Sequence, residues 1–171
     1  MGFTYAVLGA GRQGTASAYD FALHGGAEEV RLADLDLKRA RAAADRVGRL
    51  TGKDVARAVR VDVTKSESIL RALKGVDVFL SAVPYPFNLG LAKAAVRAKA
   101  SMVDLGGHTE TARRQLALDP QARKAGIAIV PECGMGPGAN VTLAVHAIRM
   151  LDTAFPTDAV LSCATSSPAA L

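Results

Sequence analysis

The residues best suited to chemistry form a glycine-rich turn directly after the first apolar run of the chain, Ala6-Val7-Leu8. Three glycines are spaced there as G-x-G-x-x-G. The first allows a sharp turn, the second lets the backbone approach a pyrophosphate, and the third lets the following helix pack closely on a sheet. The N–H groups and dipole of that helix then favour phosphate. We therefore predict a dinucleotide phosphate site formed by Gly9, Gly11, Arg12, Gln13 and Gly14.

An acidic residue stands where a dinucleotide-binding unit needs one, at the end of the second predicted strand. Asp34 follows Gly14 by 20 residues (34 − 14), and its carboxylate can accept hydrogen bonds from both hydroxyls of an adenosine ribose. Asp36 adds a second carboxylate, and no arginine directly follows Asp34 to receive a 2′-phosphate. These residues predict NAD rather than NADP as the cofactor. The alternative is a plain strand–turn–helix with an exposed aspartate.

Further candidate residues lie at the ends of the later predicted strands. Asp62 is placed either to meet the adenine amino group or to lead into a helix. Val83 and Pro84 are expected beside the nicotinamide ribose, although a proline without a backbone donor also suits a loop that binds nothing. Asp104 is expected to hold its loop or to face the substrate. His108 is placed to shuttle a proton, with an exposed loop histidine as the alternative.

Short strands alternate with helices along the chain, which is typical of a parallel sheet covered on both faces. Right-handed crossovers then favour a doubly wound α/β fold, with ligands at the carboxyl ends of the strands. We assign residues 1–138 to this dinucleotide-binding Rossmann domain and residues 139–171 to the start of a truncated substrate domain. The predicted strands are 6–8, 30–33, 58–63, 76–81, 101–105 and 127–130, and the predicted helices are 13–23, 37–50, 66–73 (N-cap Ser66), 89–99, 109–118 and 140–151.

Composition excludes several function classes. The net charge is +5, but many basic residues lie between Lys38 and Arg60 on a segment with a helical apolar period, so we expect a solvated helix face and no nucleic-acid partner. No apolar stretch approaches the ~20 residues of a membrane span, and no signal peptide is evident, so we expect a cytoplasmic protein without a membrane partner. Cys133 and Cys163 are too few for a metal site. Cys133 is expected to be buried rather than reactive.

Four motifs occur in a recognisable order. They are Gly9-Ala10-Gly11-Arg12-Gln13-Gly14, Ser81-Ala82-Val83-Pro84-Tyr85, Val103-Asp104-Leu105-Gly106-Gly107 and Pro131-Glu132-Cys133-Gly134-Met135-Gly136-Pro137-Gly138. Over residues 3–150 the chain resembles the saccharopine dehydrogenase family, and within it the lysine 6-dehydrogenase-like branch. The resemblance implies an NAD(P)-dependent oxidoreductase acting on a C–N bond of a small-molecule amino-acid substrate such as lysine or saccharopine. It also implies that Asp104, Gly106 and Gly107 border the active-site cleft.

Members of this family carry a second, substrate-binding domain after the glycine–proline loop, whereas this sequence stops at Leu171. We therefore expect a truncated, split or frame-shifted product that retains its cofactor domain. An apolar face left uncovered would favour self-association into a homo-oligomer. Two alternatives stay open: a non-catalytic nucleotide-binding module that works with a partner chain, and a methyltransferase, which binds adenosine moieties with similar turns. The glycine–proline loop argues against the methyltransferase.

Overall fold

A parallel sheet of six strands forms the centre of the molecule. The computed structural model describes residues 2–150 of the chain. The strands are β1 (Phe3–Leu8), β2 (Ala27–Asp34), β3 (Ala56–Arg60), β4 (Val78–Ser81), β5 (Ser101–Asp104) and β6 (Ile129–Val130). They pair in parallel in the order β3-β2-β1-β4-β5-β6. The predicted doubly wound sheet is confirmed, and its order reverses between β1 and β4, where such sheets open a crevice for ligands.

Helices cover both faces of this sheet. Within residues 2–150 they are α1 (Arg12–His24), α2 (Leu37–Thr51), α3 (Ser66–Ala72), α4 (Asn88–Ala98), α5 (Thr109–Leu116), α6 (Asp119–Ala125) and α7 (Asn140–Arg149). Helices α1 and α2 pack together on one face, while α4 packs with α3 and α5 on the other. A 3-10 turn (Tyr85–Phe87) precedes α4, and a π-type turn (Met135–Ala139) precedes α7. None of the helices described has the length and apolarity needed to cross a bilayer.

Side chains of the central strands alternate between two apolar cores, one on each face of the sheet. Leu8 and Phe79 belong to the core beneath α3 and α4. Val7 and Leu80 belong to the core beneath α1 and α2. All four side chains are buried. Strands β1 and β4 are thus clamped from both sides, and this holds the turns at their carboxyl ends in fixed positions.

The basic helix α2 has the amphipathic pattern that the sequence predicts. Ala40, Ala44 and Val47 are buried against the sheet, whereas Arg41 is exposed. Asp36 caps the helix, because its side chain accepts a hydrogen bond from the second helical N–H group. Burial of one small apolar stripe therefore places the arginines of α2 away from the sheet.

Two predicted boundaries are wrong for identifiable reasons. Strand β3 lies at Ala56–Arg60 instead of 58–63, because its register is set by pairing with β2. The helix predicted over 109–118 ends at Leu116, and a separate helix begins at Asp119. Pro120 lies in the first turn of that new helix, a position that suits proline, whereas a helix interior does not.

Two further expectations concern helix ends. The N-cap of α3 is Lys65, without a side-chain cap hydrogen bond, so the predicted cap at Ser66 is wrong. The proposed second segment, 139–171, can be followed only into α7, which buries none of its side chains. Residues 151–171 lie outside the described part of the chain, so the domain division stays a prediction.

Candidate functional site

The glycine-rich turn leaves the N-terminus of α1 open. Gly11 is the N-cap of α1, no side chain caps the helix, and its first turn contains no acidic residue. A Cβ built on Gly11 would meet no atom within 4 Å. The first N–H groups of a helix have no partner within the helix and attract anions. Together with the exposed Arg12 and Gln13, the turn therefore offers both the space and the donors that a phosphate group needs.

Gly9 and Gly14 pack this turn tightly against its surroundings. Gly9 has a φ of +104°, and a Cβ added there would lie 2.6 Å from the carbonyl oxygen of Ala82. A Cβ added to Gly14 would collide with the carbonyl oxygen of Gly9. The Cγ1 atom of Val83 would lie 3.2 Å from the Cβ added to Gly9. The structure thus brings Gly9, Gly14 and Val83 together between β1 and β4.

Asp34 ties the end of β2 to the glycine-rich turn. Its Oδ2 accepts a 2.9 Å hydrogen bond from the N–H of Ala10, and its Oδ1 accepts a 3.0 Å hydrogen bond from the N–H of Asp36. The residue is partly buried. Asp34 therefore lies beside the turn, where a ribose-binding acid is expected, and it also bridges two loops. The sequence did not indicate this bridging role.

Asp62 organises the loop that follows β3. Its Oδ1 accepts hydrogen bonds from the N–H (3.0 Å) and the hydroxyl (2.6 Å) of Thr64, and its Oδ2 lies 3.4 Å from Nζ of Lys65. The hydrogen bonds from Thr64, aided by Lys65, hold the pKa of Asp62 below its ordinary value. Of the two roles that the sequence left open, the structure shows Asp62 in the turn that leads into α3, and contact with an adenine stays a prediction.

Asp104 is a buried connection point at the end of β5. Only 1% of its surface is exposed. Its Oδ1 accepts hydrogen bonds from the N–H groups of Gly106 (2.7 Å) and Glu132 (3.0 Å), and its Oδ2 accepts one from Nε2 of Gln115 (2.7 Å). The carboxyl group thereby joins the loops after β5 and β6 to α5. Of the two roles that the sequence left open, loop-holding is the one seen, and a catalytic role stays a prediction.

His108 is the N-cap of α5 and stacks on an aromatic ring. Its Nδ1 accepts a hydrogen bond from the N–H of Thr111 (3.3 Å) and lies 3.0 Å from the Thr111 hydroxyl. The ring is 4.6 Å from the ring of Tyr85, centroid to centroid, with an angle of 10° between the planes. Because Nδ1 accepts a hydrogen bond, the neutral ring carries its hydrogen on Nε2. The exposed His108 therefore connects the loops after β4 and β5.

Two buried amides hold the site together without any signal in the sequence. Gln115 bonds Asp104, and the Oδ1 atom of Asn88 accepts a 2.7 Å hydrogen bond from the Ser81 hydroxyl, which fastens β4 to α4. Gln115 follows two arginines in a polar helix, so nothing in the sequence marks it as buried.

Pro84 is exposed and leads into the 3-10 turn. Its predicted place beside the nicotinamide is untested.

Cys133 lies after β6 and is exposed, so its expected burial is wrong. Its Sγ lies 3.5 Å from the carbonyl oxygen of Val130. Partial burial of the sulfur, together with the charge of Asp104, raises the pKa of the Cys133 thiol, so the thiolate form is disfavoured near neutral pH. Within residues 2–150, no group of three or more His, Cys, Asp or Glu side chains is placed to hold a metal ion.

The predicted site residues follow one edge of the sheet, where the strands end. The glycine-rich turn follows β1, Asp34 ends β2, Asp62 follows β3, Val83 follows β4 and Asp104 ends β5. In a doubly wound sheet a dinucleotide binds in the crevice at this edge, with its pyrophosphate at the first helix. The arrangement therefore suits an extended ligand with phosphate and ribose groups.

Comparison with known proteins agrees with this geometry. Residues 5–130 match the family described as the saccharopine dehydrogenase NADP binding domain. The saccharopine dehydrogenase (NADP(+), L-glutamate-forming) of Saccharomyces cerevisiae is 34% identical over 92 residues, which covers 54% of this chain and 20% of the relative. The alpha-aminoadipic semialdehyde synthase of Arabidopsis thaliana is also 34% identical over 92 residues, which covers 54% of this chain and 8% of the relative.

A solved structure shows the same relation in three dimensions. Saccharopine dehydrogenase (L-Glu forming) from Saccharomyces cerevisiae superposes with a TM-score of 0.69 and 29% sequence identity, covering 87% of this chain and 31% of that chain. The chain thus spans about a third or less of these relatives. The family match includes the glycine-rich turn and every strand from β2 to β6. On that match, the chain belongs to the family of saccharopine dehydrogenase NADP-binding domains.

Proposed function

We propose that this chain is the cofactor-binding part of an oxidoreductase that acts on a C–N bond of an amino-acid substrate. The observation that carries the proposal is the open N-terminus of α1 at Gly11, framed by the close contacts of Gly9 and Gly14. A turn of this shape binds the pyrophosphate of a dinucleotide. The substrate class is supported by the relative from Saccharomyces cerevisiae, which is named saccharopine dehydrogenase.

The dinucleotide is proposed to lie along the carboxyl edge of the sheet. The first N–H groups of α1 bind the pyrophosphate, and Asp34 accepts hydrogen bonds from the ribose hydroxyls through its remaining lone pairs. Asp62 faces the adenine, whereas Val83 and Pro84 flank the nicotinamide. The closeness of Val83 to Gly9 supports this direction, because a Cβ added to Gly9 would lie 3.2 Å from Cγ1 of Val83, so the loop after β4 lies next to the proposed phosphate site.

The observations differ on whether the cofactor is NAD or NADP. Asp34 and Asp36 predict NAD, whereas the matched family is described as NADP-binding, which favours NADP. Both oxygens of Asp34 already accept backbone hydrogen bonds, so part of its charge is balanced within the protein. We therefore propose a nicotinamide dinucleotide site that admits NADP, and the expected preference for NAD is not supported by the family match.

On the substrate side, the proposed cleft is bordered by the loop after β5. A bound nicotinamide supplies hydride exchange, which requires the reacting carbon to lie about 3–3.5 Å from the ring. Asp104 acts by fixing the loops through its three hydrogen bonds. His108 is exposed with its Nδ1 engaged by Thr111, so its Nε2–H is the group proposed to donate to an oxygen of the substrate or to hold a proton there.

Two measurements on the full chain test this proposal. Calorimetric titration with NAD and with NADP is expected to show saturable binding. An absorbance assay with saccharopine or lysine is expected to show no steady formation of the reduced dinucleotide, because the chain spans only 31% of the solved relative. Failure to bind either dinucleotide would contradict the proposal. Steady turnover would show instead that these 171 residues complete an active site.

A further inference from the structure

A groove between α1 and α2 carries an unusual concentration of positive charge. The groove has a volume of about 1020 Å³, opens beside Ala10 and Gly11, and runs between the two helices. Its lining includes four arginines and no acidic residue, with Tyr19 and Leu50 among the apolar groups; the arginines are Arg12, Arg39, Arg46 and Arg49.

The positive charge of this groove is not balanced by any acidic side chain in its lining. None of its four arginines forms an ion pair with another residue in the range 2–150. The side chains of all four residues are exposed. Four uncompensated guanidinium groups along one groove favour an anionic ligand.

The arginines divide into a pair near the glycine-rich turn and a pair far from it. Arg12 is the first residue of α1 and Arg39 is the third residue of α2, so both lie in first helical turns at the carboxyl edge of the sheet. Arg49 is ten residues beyond Arg39 on the same helix, which places it about 15 Å further along the axis. Only the first pair adjoins the proposed dinucleotide.

The near end of the groove is joined to the predicted ribose position. Asp34 ends β2, and its Oδ2 accepts the hydrogen bond from Ala10, a residue that also lines the groove. NADP differs from NAD by one phosphate, carried on the 2′-oxygen of the adenosine ribose. A ribose at Asp34 would therefore direct that phosphate towards the end of the groove that holds Arg12 and Arg39.

We propose that Arg12 and Arg39 bind the 2′-phosphate of NADP. This inference rests on the proposed dinucleotide site. Guanidinium groups suit phosphate because their N–H donors match two phosphate oxygens at once. The residue directly after β2 is Leu35 and not an arginine. Arg12 and Arg39 would therefore supply the positive charge for the phosphate. Bringing the phosphate between two unpaired cations also relieves their mutual repulsion.

Calorimetric titration of the full chain with NADP and with NAD tests the inference. Arg39→Gln is expected to weaken NADP binding roughly tenfold, as for loss of a charge-assisted hydrogen bond, and to change NAD binding less than about twofold. Arg12→Gln is expected to weaken NADP more than NAD. Arg49→Gln is the matched control, because it removes the same charge from the same groove and helix, and it is expected to change neither affinity by more than about twofold.

The outcomes separate this inference from the proposed function. Equal weakening of NAD and NADP by Arg39→Gln would overturn the 2′-phosphate assignment while leaving the dinucleotide site in place. An equal effect of Arg49→Gln would show general attraction of anions and would also overturn it. A chain that binds NAD but not NADP overturns the inference alone, and a chain that binds neither overturns both. Circular dichroism checks that each variant is folded, which is expected because these arginines are exposed.

Discussion

At the scale of single residues, a substitution at Gly11 is expected to affect dinucleotide binding but not the stability of the fold. Its φ of −77° is open to other residues, and a Cβ there would enter empty space. We predict that Gly11→Val abolishes dinucleotide binding with little loss of stability, because the added methyl groups occupy the space that the pyrophosphate needs. Calorimetric titration and thermal unfolding measure the two effects.

The control for this substitution is Gly48→Val, on α2. A Cβ at Gly48 would lie 3.7 Å from the carbonyl oxygen of Lys53, an ordinary contact, and the position is outside the proposed phosphate site. We expect this variant to bind normally. Normal dinucleotide affinity in a folded Gly11→Val variant would contradict the assignment of the glycine-rich turn as a dinucleotide site.

We predict that the main contribution of Asp104 is to the stability of the folded chain. Asp104→Ala leaves two backbone N–H groups and the Gln115 amide without their partner, and we expect a loss of about 3 kcal/mol in the free energy of unfolding. Denaturant unfolding measures this loss. Since the side chain is buried, unchanged stability in Asp104→Ala would contradict the loop-holding role.

Cys133 is predicted to react slowly near neutral pH. Partial burial of the sulfur and the charge of Asp104 raise the pKa of the thiol, so less of it is thiolate at a given pH than in an ordinary cysteine. Alkylation should therefore become fast only at more alkaline pH. Mass spectrometry of the Cys133 peptide after iodoacetamide treatment across a pH series measures this. The denatured chain is the reference, and faster reaction in the folded chain at pH 7 would refute the prediction.

At the scale of elements, the N-terminus of α5 is capped by the side chain of His108. His108 accepts the hydrogen bond from Thr111 and stacks on Tyr85. We predict that His108→Ala destabilises the chain by about 1 kcal/mol, because the cap hydrogen bond is lost. His108→Asn should recover part of this loss, since asparagine is a good N-cap residue. Thermal unfolding compares the variants, and equal stability of all three proteins would show that the cap contributes nothing.

At the scale of the whole molecule, the uncovered apolar side chains of α7 are the main feature. Leu143 is 66% exposed and Val145 is 41% exposed, and α7 buries no side chain within the described part of the chain. Exposed apolar patches of this kind favour association. We predict a dimer or larger species in light scattering of the purified chain.

Substitution of one leucine tests whether α7 is responsible. Leu143→Gln is expected to shift the chain towards monomer. Leu116→Gln is the matched control, because Leu116 is a similarly exposed leucine on α5, and it should leave the oligomeric state unchanged. A wild-type chain that stays monomeric at high concentration would refute the prediction of self-association.

Much of the architecture follows from local patterns. The glycine spacing at positions 9, 11 and 14 predicts a turn between a strand and a helix, because only glycine accepts the contacts found at Gly9 and Gly14. Alternating strands and helices with right-handed crossovers leave few possible sheets. The strand boundaries were less predictable, since β3 takes its register from β2 rather than from its own residues.

The sequence by itself determined the parallel sheet, the open helix N-terminus at Gly11 and the position of Asp34 at the end of β2, because these depend on neighbouring residues and their spacing. Only the tertiary structure decided what the polar side chains do. Asp104 meets partners 11 and 28 residues away, at Gln115 and Glu132. A carboxyl group has the same atoms whether it holds a loop or exchanges a proton, and its role depends on the groups that folding places around it.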